Sequence, residues 1–408
     1  MITLDQVHTL AFAGVALFAG YGIRRTLPAL GRYNIPAPVV GGLLVALVIT
    51  IARTRGWTPV RFETTLQLPL MIAFFTTIGF GASLRLLRVG GPAVGLFFLL
   101  STIVAALQNV LGAAVALAMG RPALLGVLAG SVTLTGGPAT GLAFAPLFEA
   151  AGVSGAATLA VAAAMVGIVA GGVIGGPVAT FLIGGRAARP ASTGEAPGGI
   201  AAQVVEAHLP EPPLTAPSGE DVESHALLKA VVLILVAMWI GSWLTPLFAR
   251  LGVTLPAYIG AMLAAALIRN LDDWLGIARI SQRVIDDLGG VALSLFLVLA
   301  LMTLRLWELA GLALPLAVIL LAQVTAIAVV AAVVVHRLMG RDYEAAVMAG
   351  GFCGFMLGTT ANAMANMEAL VERYGPAPKA FLVVPMVGAF FIDFTNSLLI
   401  TLFLNFWR

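Results

Sequence analysis

Long uncharged apolar stretches, separated by short polar segments, dominate the chain of 408 residues. Residues 97–119, 122–148 and 152–185 contain no charged side chain. About 20 consecutive apolar residues are enough to cross the hydrocarbon core of a bilayer. The hydropathy pattern predicts ten membrane-spanning helices, at residues 8–26, 35–52, 66–83, 91–119, 154–183, 226–249, 254–270, 285–304, 311–336 and 378–404.

Two further apolar stretches, 122–147 and 344–370, are rich in small residues, with several glycines and threonines in each. Glycine and threonine are poor formers of a continuous helix. We interpret both stretches as re-entrant hairpins, which enter the membrane and leave it on the same side. The predicted fold class is an all-α polytopic membrane protein.

The composition agrees with a chain that has lipid as its solvent. Hydrophobic residues make up 60% of the sequence and charged residues 10%, whereas a soluble domain carries about 25% charged residues. The formal net charge of +3 gives no reason to expect a nucleic-acid partner, because the basic residues are scattered at segment ends. With one cysteine, four dispersed histidines and no nucleophile–base pair, the sequence predicts no disulfide, no organic cofactor and no enzyme.

Charge bias in the loops predicts the orientation. Lysines and arginines are more frequent in the inside loops if both termini lie outside, in accord with the positive-inside rule. We therefore expect the chain in the inner (cytoplasmic) membrane of a bacterium, with both termini in the periplasm. Residues 184–225, which are rich in proline, glycine and glutamate, are then a disordered cytoplasmic linker.

The chain contains an internal repeat. A shift of 220 positions aligns residues 35–37 (IPA) with 255–257 (LPA), and residues 119–121 (MGR) with 339–341 (MGR). Several matches at one shift, each at a corresponding place in the pattern of spans, indicate a duplication. The predicted units are an N-terminal repeat, a linker and a C-terminal repeat, at residues 1–183, 184–225 and 226–408.

Each predicted unit contains five spans and one hairpin. Because five is odd, the second unit must be inverted relative to the first. Inverted-topology repeats with paired broken helices are typical of secondary transporters, whose substrate sites lie near the bilayer midplane. The alternative interpretation is an old duplication in a channel or in a structural membrane protein.

The first hairpin carries hydroxyl side chains around a glycine-rich break at residues 130–141. Its glycines and Pro138 favour a break in the helix, which leaves helix ends without partners. Free amides at a helix start attract carboxylates, and free carbonyls at a helix end attract cations. The alternative is close helix packing through small residues. The hydroxyls that suit either kind of ligand belong to Ser131, Thr133, Thr135 and Thr140.

The second hairpin carries two amide side chains, Asn362 and Asn366, four residues apart and therefore on one helix face. An amide offers both donors and acceptors, so it can meet a carboxylate, an amine or sodium. Thr359 and Thr360 precede them at the break. The alternative for each asparagine is a hydrogen bond between helices.

The last span contains an ionisable residue, Asp393, with Asn396 on the same helix face. A carboxylate inside the membrane is costly and is a functional hypothesis by default. At a shift of 221 positions Asp393 aligns with Gly172 and Asn396 with Gly175, so we expect the polar side chains to face small residues across a pseudo-symmetry axis. The carboxylate is suited to bind sodium, to accept an ammonium group or to carry a proton. The alternative is a structural hydrogen bond or an inert protonated carboxyl.

Four segments resemble the glutamate:sodium symporter family of bacteria, namely 35–44 (IPAPVVGGLL), 70–79 (LMIAFFTTIG), 304–310 (LRLWELA) and 381–393 (FLVVPMVGAFFID). The resemblance runs along nearly the whole chain. It implies ten spans, two re-entrant hairpins, a homodimer and elevator-like alternating access coupled to sodium. The implied architecture is similar to that of the sodium-coupled citrate carriers, and Asp393 and Asn396 match positions of the family.

The sequence therefore predicts sodium-coupled import of L-glutamate or a related small anionic amino acid or dicarboxylate. Two alternatives are a cation/proton antiporter that uses Asp393 as its carrier, and a non-transporting sensor or channel. The expected substrate-binding residues are Thr135, Gly136, Gly137, Thr140, Thr359, Thr360, Asn362, Asp393 and Asn396. The expected sodium ligands are Ser131, Thr133, Asn366 and Asp393.

Overall fold

The computed structural model describes residues 2–56, 60–89, 91–184, 221–250, 256–309 and 312–407. Nearly all of the expected linker lies outside these ranges. Within them the chain is helical apart from short connections and two strands of three residues each, Ile2–Leu4 and Val60–Phe62, which pair in parallel. The predicted all-α class is confirmed in this part of the chain, and the strand pair is an addition that the hydropathy pattern did not predict.

The helices follow the predicted spans and hairpins in order. In the first half they are α1 (Gln6–Thr26), α2 (Pro28–Arg32), α3 (Ala37–Thr54), α4 (Gln67–Gly81), α5 (Leu84–Val89), α6 (Gly91–Ala118), α7 (Ala123–Val127), α8 (Gly137–Ala150) and α9 (Ala156–Gly184). In the second half they are α10 (Val222–Arg250), α11 (Ala257–Leu275), α12 (Gln282–Met302), α13 (Ala313–Val330), α14 (Tyr343–Leu357), α15 (Thr360–Tyr374), α16 (Pro378–Phe390) and α17 (Ile392–Phe406). A π-helical turn, Leu128–Val132, follows α7, and another, Ala331–Val335, extends α13.

Seven helices in the described part of the chain are long and apolar enough to span a membrane. They are α1, α3, α6, α9, α10, α12 and the extended α13. The pair α16 and α17, bent by 43°, forms an eighth span if the two helices count as one. The protein is therefore a polytopic membrane protein.

Two of the ten predicted spans are helices that do not reach this length or composition. Helix α4 has 15 residues, and the C-terminal part of α11 carries Arg269, Asp272 and Asp273. These polar groups are paired at the helix end, because Arg269 contacts Asp273 at 3.1 Å and Asp272 accepts from the Ile280 backbone at 2.9 Å. Hydropathy counts such residues against a span although each of them has a polar partner.

The last predicted span, 378–404, is not one continuous helix. Helix α16 ends at Phe390 and α17 begins at Ile392, which places Asp393 in the first turn of α17. The first N–H groups of a helix have no partner within it and favour a nearby carboxylate. The break therefore gives Asp393 a helix start that the sequence did not predict.

Both predicted hairpin regions are pairs of helices joined by a break. In the first, Gly130 leaves the helical conformation (φ −101°, ψ −133°), and α8 starts at Gly137 with Pro138 in its first turn. A proline fits there because its missing N–H would have had no partner in that turn. In the second, α14 ends at Leu357, and the Thr359 side chain caps α15 by accepting from the Asn362 N–H at 3.4 Å.

The helices pack as two groups. Helices α1, α3 and α4 pack mainly with α10, α11 and α12, and α6 to α9 pack mainly with α13 to α17. Both groups therefore combine elements from the first and second halves. Tyr258 of α11 connects the groups, because its ring lies 4.4 Å from Phe75 of α4 and 5.3 Å from Phe144 of α8.

Glycines on one face of α9 allow the backbone of α14 to approach closely. An ideal Cβ placed at Gly167 would lie 2.3 Å from the Leu357 carbonyl oxygen, and one at Gly175 would lie 2.6 Å from the Gly350 carbonyl oxygen. No side chain fits at either position. This is the small-residue packing typical of membrane helices, and it holds α14, the first helix of the second hairpin region, against α9.

Candidate functional site

The breaks of the two hairpin regions lie next to each other in the interior of the second helix group. Gly137, at the start of α8, has a φ of +67°, a conformation that favours glycine. A Cβ built on it would lie 4.0 Å from the carbonyl oxygen of Gly358, at the break between α14 and α15. The predicted tips therefore approach each other, although they are far apart in sequence.

Ser131 connects the first hairpin region to α6 and α17. Its backbone N–H donates to Asn109 Oδ1 at 2.9 Å, and its carbonyl accepts from Asn396 Nδ2 at 3.0 Å. All three side chains are buried. The structure thus brings together two predicted site residues, Ser131 and Asn396, and adds Asn109.

Gln108 connects the first hairpin region to the second. Its Oε1 accepts from the Thr135 hydroxyl at 2.7 Å, and its Nε2 donates to the Met356 carbonyl at 2.9 Å. Gln323 of α13 donates to the Gln108 carbonyl at 2.6 Å. Sequence reasoning did not place Gln108, Asn109 or Gln323 at the site. The available signal was a buried amide in an otherwise apolar span, and it is also typical of ordinary helix contacts.

The two asparagines of the second hairpin region hold it against α9. Asn362 Nδ2 donates to the Ile168 carbonyl at 2.6 Å, and Asn366 Nδ2 donates to the Gly171 carbonyl at 2.9 Å. The two residues do share one helix face, as predicted. Their amino groups bind the backbone of α9, and the Asn362 amide oxygen has no partner among the described residues.

The remaining predicted residues of the breaks lie beside these contacts. A Cβ at Gly136 would lie 2.6 Å from Thr140, and a Cβ at Gly388 of α16 would lie 2.7 Å from the Thr360 hydroxyl. Thr133 donates to the Leu128 carbonyl at 2.8 Å, within its own hairpin region. Thr140 and Thr133 are buried, whereas Thr360 is half-buried.

Several buried polar atoms in this region have no hydrogen-bond partner among the described residues. Most buried polar groups in proteins are paired, and an unpaired one costs about 1–3 kcal/mol. Four of the five atoms are oxygens, which are the ligands that hard cations such as sodium prefer. The atoms are Ser131 Oγ, Asn362 Oδ1, Asn396 Oδ1, Gln323 Oε1 and Asn109 Nδ2.

Asp393 precedes Asn396 by one helical turn and is half-buried. Its backbone carbonyl accepts from the Ser397 hydroxyl at 2.8 Å. Within the described part of the chain, its carboxylate has no hydrogen-bond or ion-pair partner. The charged group therefore remains available for a ligand next to the Ser131–Asn396 contact.

One predicted arrangement is wrong. Asn396 does not face Gly175, because Asn396 bonds to Ser131 and a Cβ at Gly175 would lie 2.1 Å from Asn366 Nδ2. That Asp393 faces Gly172 across a space for the solute stays a prediction, since the atom within 4 Å of a Cβ at Gly172 belongs to Tyr33, at 3.8 Å. Asn396 packs against the first hairpin region and Gly175 against the second, so these two aligned positions are not neighbours.

The four expected sodium ligands divide between two places. Ser131 and Asp393 lie at the contact of the first hairpin region with α17, whereas Asn366 lies against α9. Among the described residues, no hydrogen bond joins Asn366 to Ser131 or to Thr133. A common sodium site for these four residues stays a prediction.

The chain is a polytopic membrane protein whose broken helices meet at a buried polar centre. These features define a secondary membrane transporter. The chain belongs to the sodium/glutamate symporter family, because the sequence model of that family, described as sodium/glutamate symporter, matches residues 2–376. The family resemblance inferred from the four sequence segments is confirmed. The family is one of transporters and not of enzymes.

Characterised relatives cover nearly the whole chain. The sodium/glutamate symporters of Escherichia coli (strain K12) and Shigella flexneri are each 42% identical over 407 residues, which are 99% of this chain and 98% of theirs. The sodium/glutamate symporter of Haemophilus influenzae is 39% identical over 399 residues, which are 98% of this chain and 96% of its own.

Proposed function

We propose that this protein is a sodium-coupled symporter that imports L-glutamate, or a related small anionic amino acid or dicarboxylate, across the bacterial inner membrane. The observation that carries the proposal is the full-length similarity to sodium/glutamate symporters. Sodium is the coupling ion, and the transport needs no organic cofactor.

The proposed site lies where the two breaks approach each other. The starts of α8 and α15 present N–H groups without partners in their own helices, which favours the carboxylates of the substrate. The Asp393 carboxylate and the unpaired oxygens of Ser131 and Asn396 favour a cation. The substrate-binding residues in this proposal are Thr135, Gly136, Gly137, Thr140, Thr359, Thr360, Asn362, Asp393 and Asn396.

The order of the helices supports two inverted repeats, residues 1–183 and 226–408. Helices α3 and α11 begin at residues 37 and 257, and α7 and α14 begin at residues 123 and 343. Both differences equal the shift that aligns the sequence. Each half thus runs through four helices, a broken hairpin region and a final span. We propose that both hairpins are re-entrant, that the termini are periplasmic and that the linker is cytoplasmic.

The packing in two groups supports an elevator-like movement. All of the proposed site residues belong to the group of α6 to α9 with α13 to α17. A rigid-body shift of that group against α1, α3, α4 and α10 to α12 would therefore carry the whole site without taking it apart. We expect the group of α1, α3, α4 and α10 to α12, which holds none of the proposed site residues, to form the homodimer contact and to stay fixed in the membrane.

We expect L-glutamate to stabilise the purified protein only when sodium is present. A ligand at a hundred times its dissociation constant adds about 2.7 kcal/mol to the stability of the state that binds it. The measurement is the melting temperature in detergent with L-glutamate and either sodium or potassium chloride at equal ionic strength. D-glucose serves as an uncharged control solute. Equal stabilisation in sodium and potassium would contradict coupling to sodium.

A further inference from the structure

We propose that Gln108 is a positioning residue of the transport site, which holds the Thr135 hydroxyl in the orientation that accepts from a cationic group. This inference rests on the proposed function and limits the ligands that the Thr135 hydroxyl can bind. The cationic group is either the sodium ion or the ammonium group of the substrate, and the experiment below distinguishes the two. Sequence reasoning left the Thr135 hydroxyl open to bind either a carboxylate or a cation.

The orientation of the Gln108 amide follows from the groups around it. The Met356 backbone carbonyl has no hydrogen to donate, so the atom 2.9 Å away from it must be the amino group of Gln108. The amide oxygen is then the atom that contacts Thr135, at 2.7 Å. An amide oxygen only accepts, and therefore the hydroxyl of Thr135 must donate its single hydrogen to Gln108.

A threonine whose hydrogen is committed in this way presents only lone pairs to its surroundings. It cannot donate to a carboxylate of the substrate. Lone pairs suit a sodium ion or an ammonium group instead. Thr135 is 5% exposed, so this oxygen lies at the edge of the buried polar centre and not in the lipid-facing surface.

A second observation points to the same kind of ligand. Gly136, the next residue, donates its N–H to the Ser131 carbonyl at 2.9 Å, which places Thr135 beside Ser131. Ser131 Oγ and Asn396 Oδ1 are buried oxygens without a partner among the described residues. The Ser131 carbonyl therefore joins the Gly136 N–H and the Asn396 side chain, and the two unpaired oxygens belong to residues of this contact. A cation bound beside it would satisfy them.

Gln108 is itself held by the other half of the protein. Gln323 of α13 donates to the Gln108 carbonyl at 2.6 Å, and a Cβ at Gly112 would lie 3.0 Å from Gln323 Nε2. Together with the contact to Met356, this fixes Gln108 between two elements of the second half. The orientation of Thr135 in the first hairpin region therefore depends on where the second hairpin region lies.

The test uses the full-length protein in proteoliposomes, with initial rates of L-glutamate uptake measured against sodium and against glutamate. The variants are Thr135→Val, which removes the hydroxyl, and Gln108→Met, which keeps the length of the side chain and removes its polar atoms. For a sodium ligand, each variant raises the half-saturating sodium concentration about tenfold. For an ammonium partner, each raises the KM for glutamate about tenfold, and inhibition by glutarate, which lacks the ammonium group, is unchanged.

The double variant, Gln108→Met with Thr135→Val, distinguishes a positioning role of Gln108 from a purely structural one. Because Gln108 acts through Thr135, the double variant raises the affected constant no further than the larger of the two single effects. Thr135→Ser, which keeps the hydroxyl, reverses most of the increase that Thr135→Val causes in the affected constant. Ser101→Ala is the matched control, because Ser101 is also buried in α6 but donates only to the Phe97 carbonyl of its own helix, at 2.8 Å.

Three results overturn the inference. The first is wild-type constants in Thr135→Val or in Gln108→Met, and the second is a loss of maximal rate alone in both variants. The third is a double variant whose effect is the product of the single effects. If Gln108→Met does not fold, Gln108→Asn replaces it with the same expected result, because the shorter side chain keeps the amide but withdraws its oxygen from Thr135. Absence of sodium-dependent uptake in the wild-type protein would instead refute the proposed function, and the inference with it.

Discussion

Replacing Asp393 with asparagine abolishes sodium-dependent glutamate uptake, with an expected loss of at least about a hundredfold, since bonds to a charged group contribute about 1.5–3 kcal/mol each. The side chain keeps its shape and loses its charge. Asp393 is half-buried in the first turn of α17, one turn before Asn396. In the sequence of α17, its carboxylate is the charged group nearest to Asn396, which contacts Ser131. The measurement is uptake of radiolabelled L-glutamate by proteoliposomes under an inward sodium gradient.

Asp221→Asn is the matched control for this substitution. Asp221 is exposed before the start of α10 and accepts from the Ser224 N–H at 2.9 Å, a bond that asparagine can also form. It lies outside the proposed site, so its uptake should equal that of the wild type. If Asp393→Asn transports at the wild-type rate under the same gradient, Asp393 binds neither the substrate nor sodium.

Gly167→Ala lowers the stability of the protein by about 2 kcal/mol or more, the usual range for overpacking a close contact. The new Cβ would lie 2.3 Å from the Leu357 carbonyl and 2.6 Å from the Leu134 side chain. A backbone carbonyl cannot turn aside, so α9 and α14 must separate. Because Leu134 and Leu357 belong to the two hairpin regions, the substitution should also reduce uptake.

The same helix supplies a control for Gly167→Ala. A Cβ at Gly176 meets no atom of the described residues within 4 Å. Alanine is a better helix former than glycine, so Gly176→Ala should melt at the wild-type temperature or slightly above it. The measurement is tryptophan fluorescence during heating in detergent. A Gly167→Ala protein that melts together with Gly176→Ala would contradict the close contact between α9 and α14.

The hairpin regions could be predicted because their composition is a local property. Glycine, serine and threonine lower helix formation wherever they cluster, and the breaks at Gly130 and Gly358 lie within the predicted stretches. The break at Phe391 could not be predicted in the same way. The residues around it, 386–392, are apolar, with no cluster of glycine, serine and threonine, and helix α17, which follows the bend, packs against α6 and the first hairpin region.

The network around Gln108 could not be predicted for a different reason. A glutamine in an apolar span needs partners for its amide, but nothing near it in sequence says which partners these are. Gln108 binds Met356, which is 248 positions away, and Asn396 binds Ser131, which is 265 positions away. The expectation that Asn396 faces Gly175 failed because alignment of repeats relates equivalent positions and does not make them neighbours.

The sequence by itself determined that the chain is a polytopic membrane protein, where most of its helices and the two glycine-rich breaks lie, and which family it resembles. Hydropathy and helix propensity are sums over short segments, so they can be evaluated without knowing the fold. Only the tertiary structure decided that the two breaks approach each other and which oxygens remain unpaired beside Asn396. A polar group inside the membrane must be satisfied by whatever the packing brings to it, and that packing joins helices from both halves of the chain.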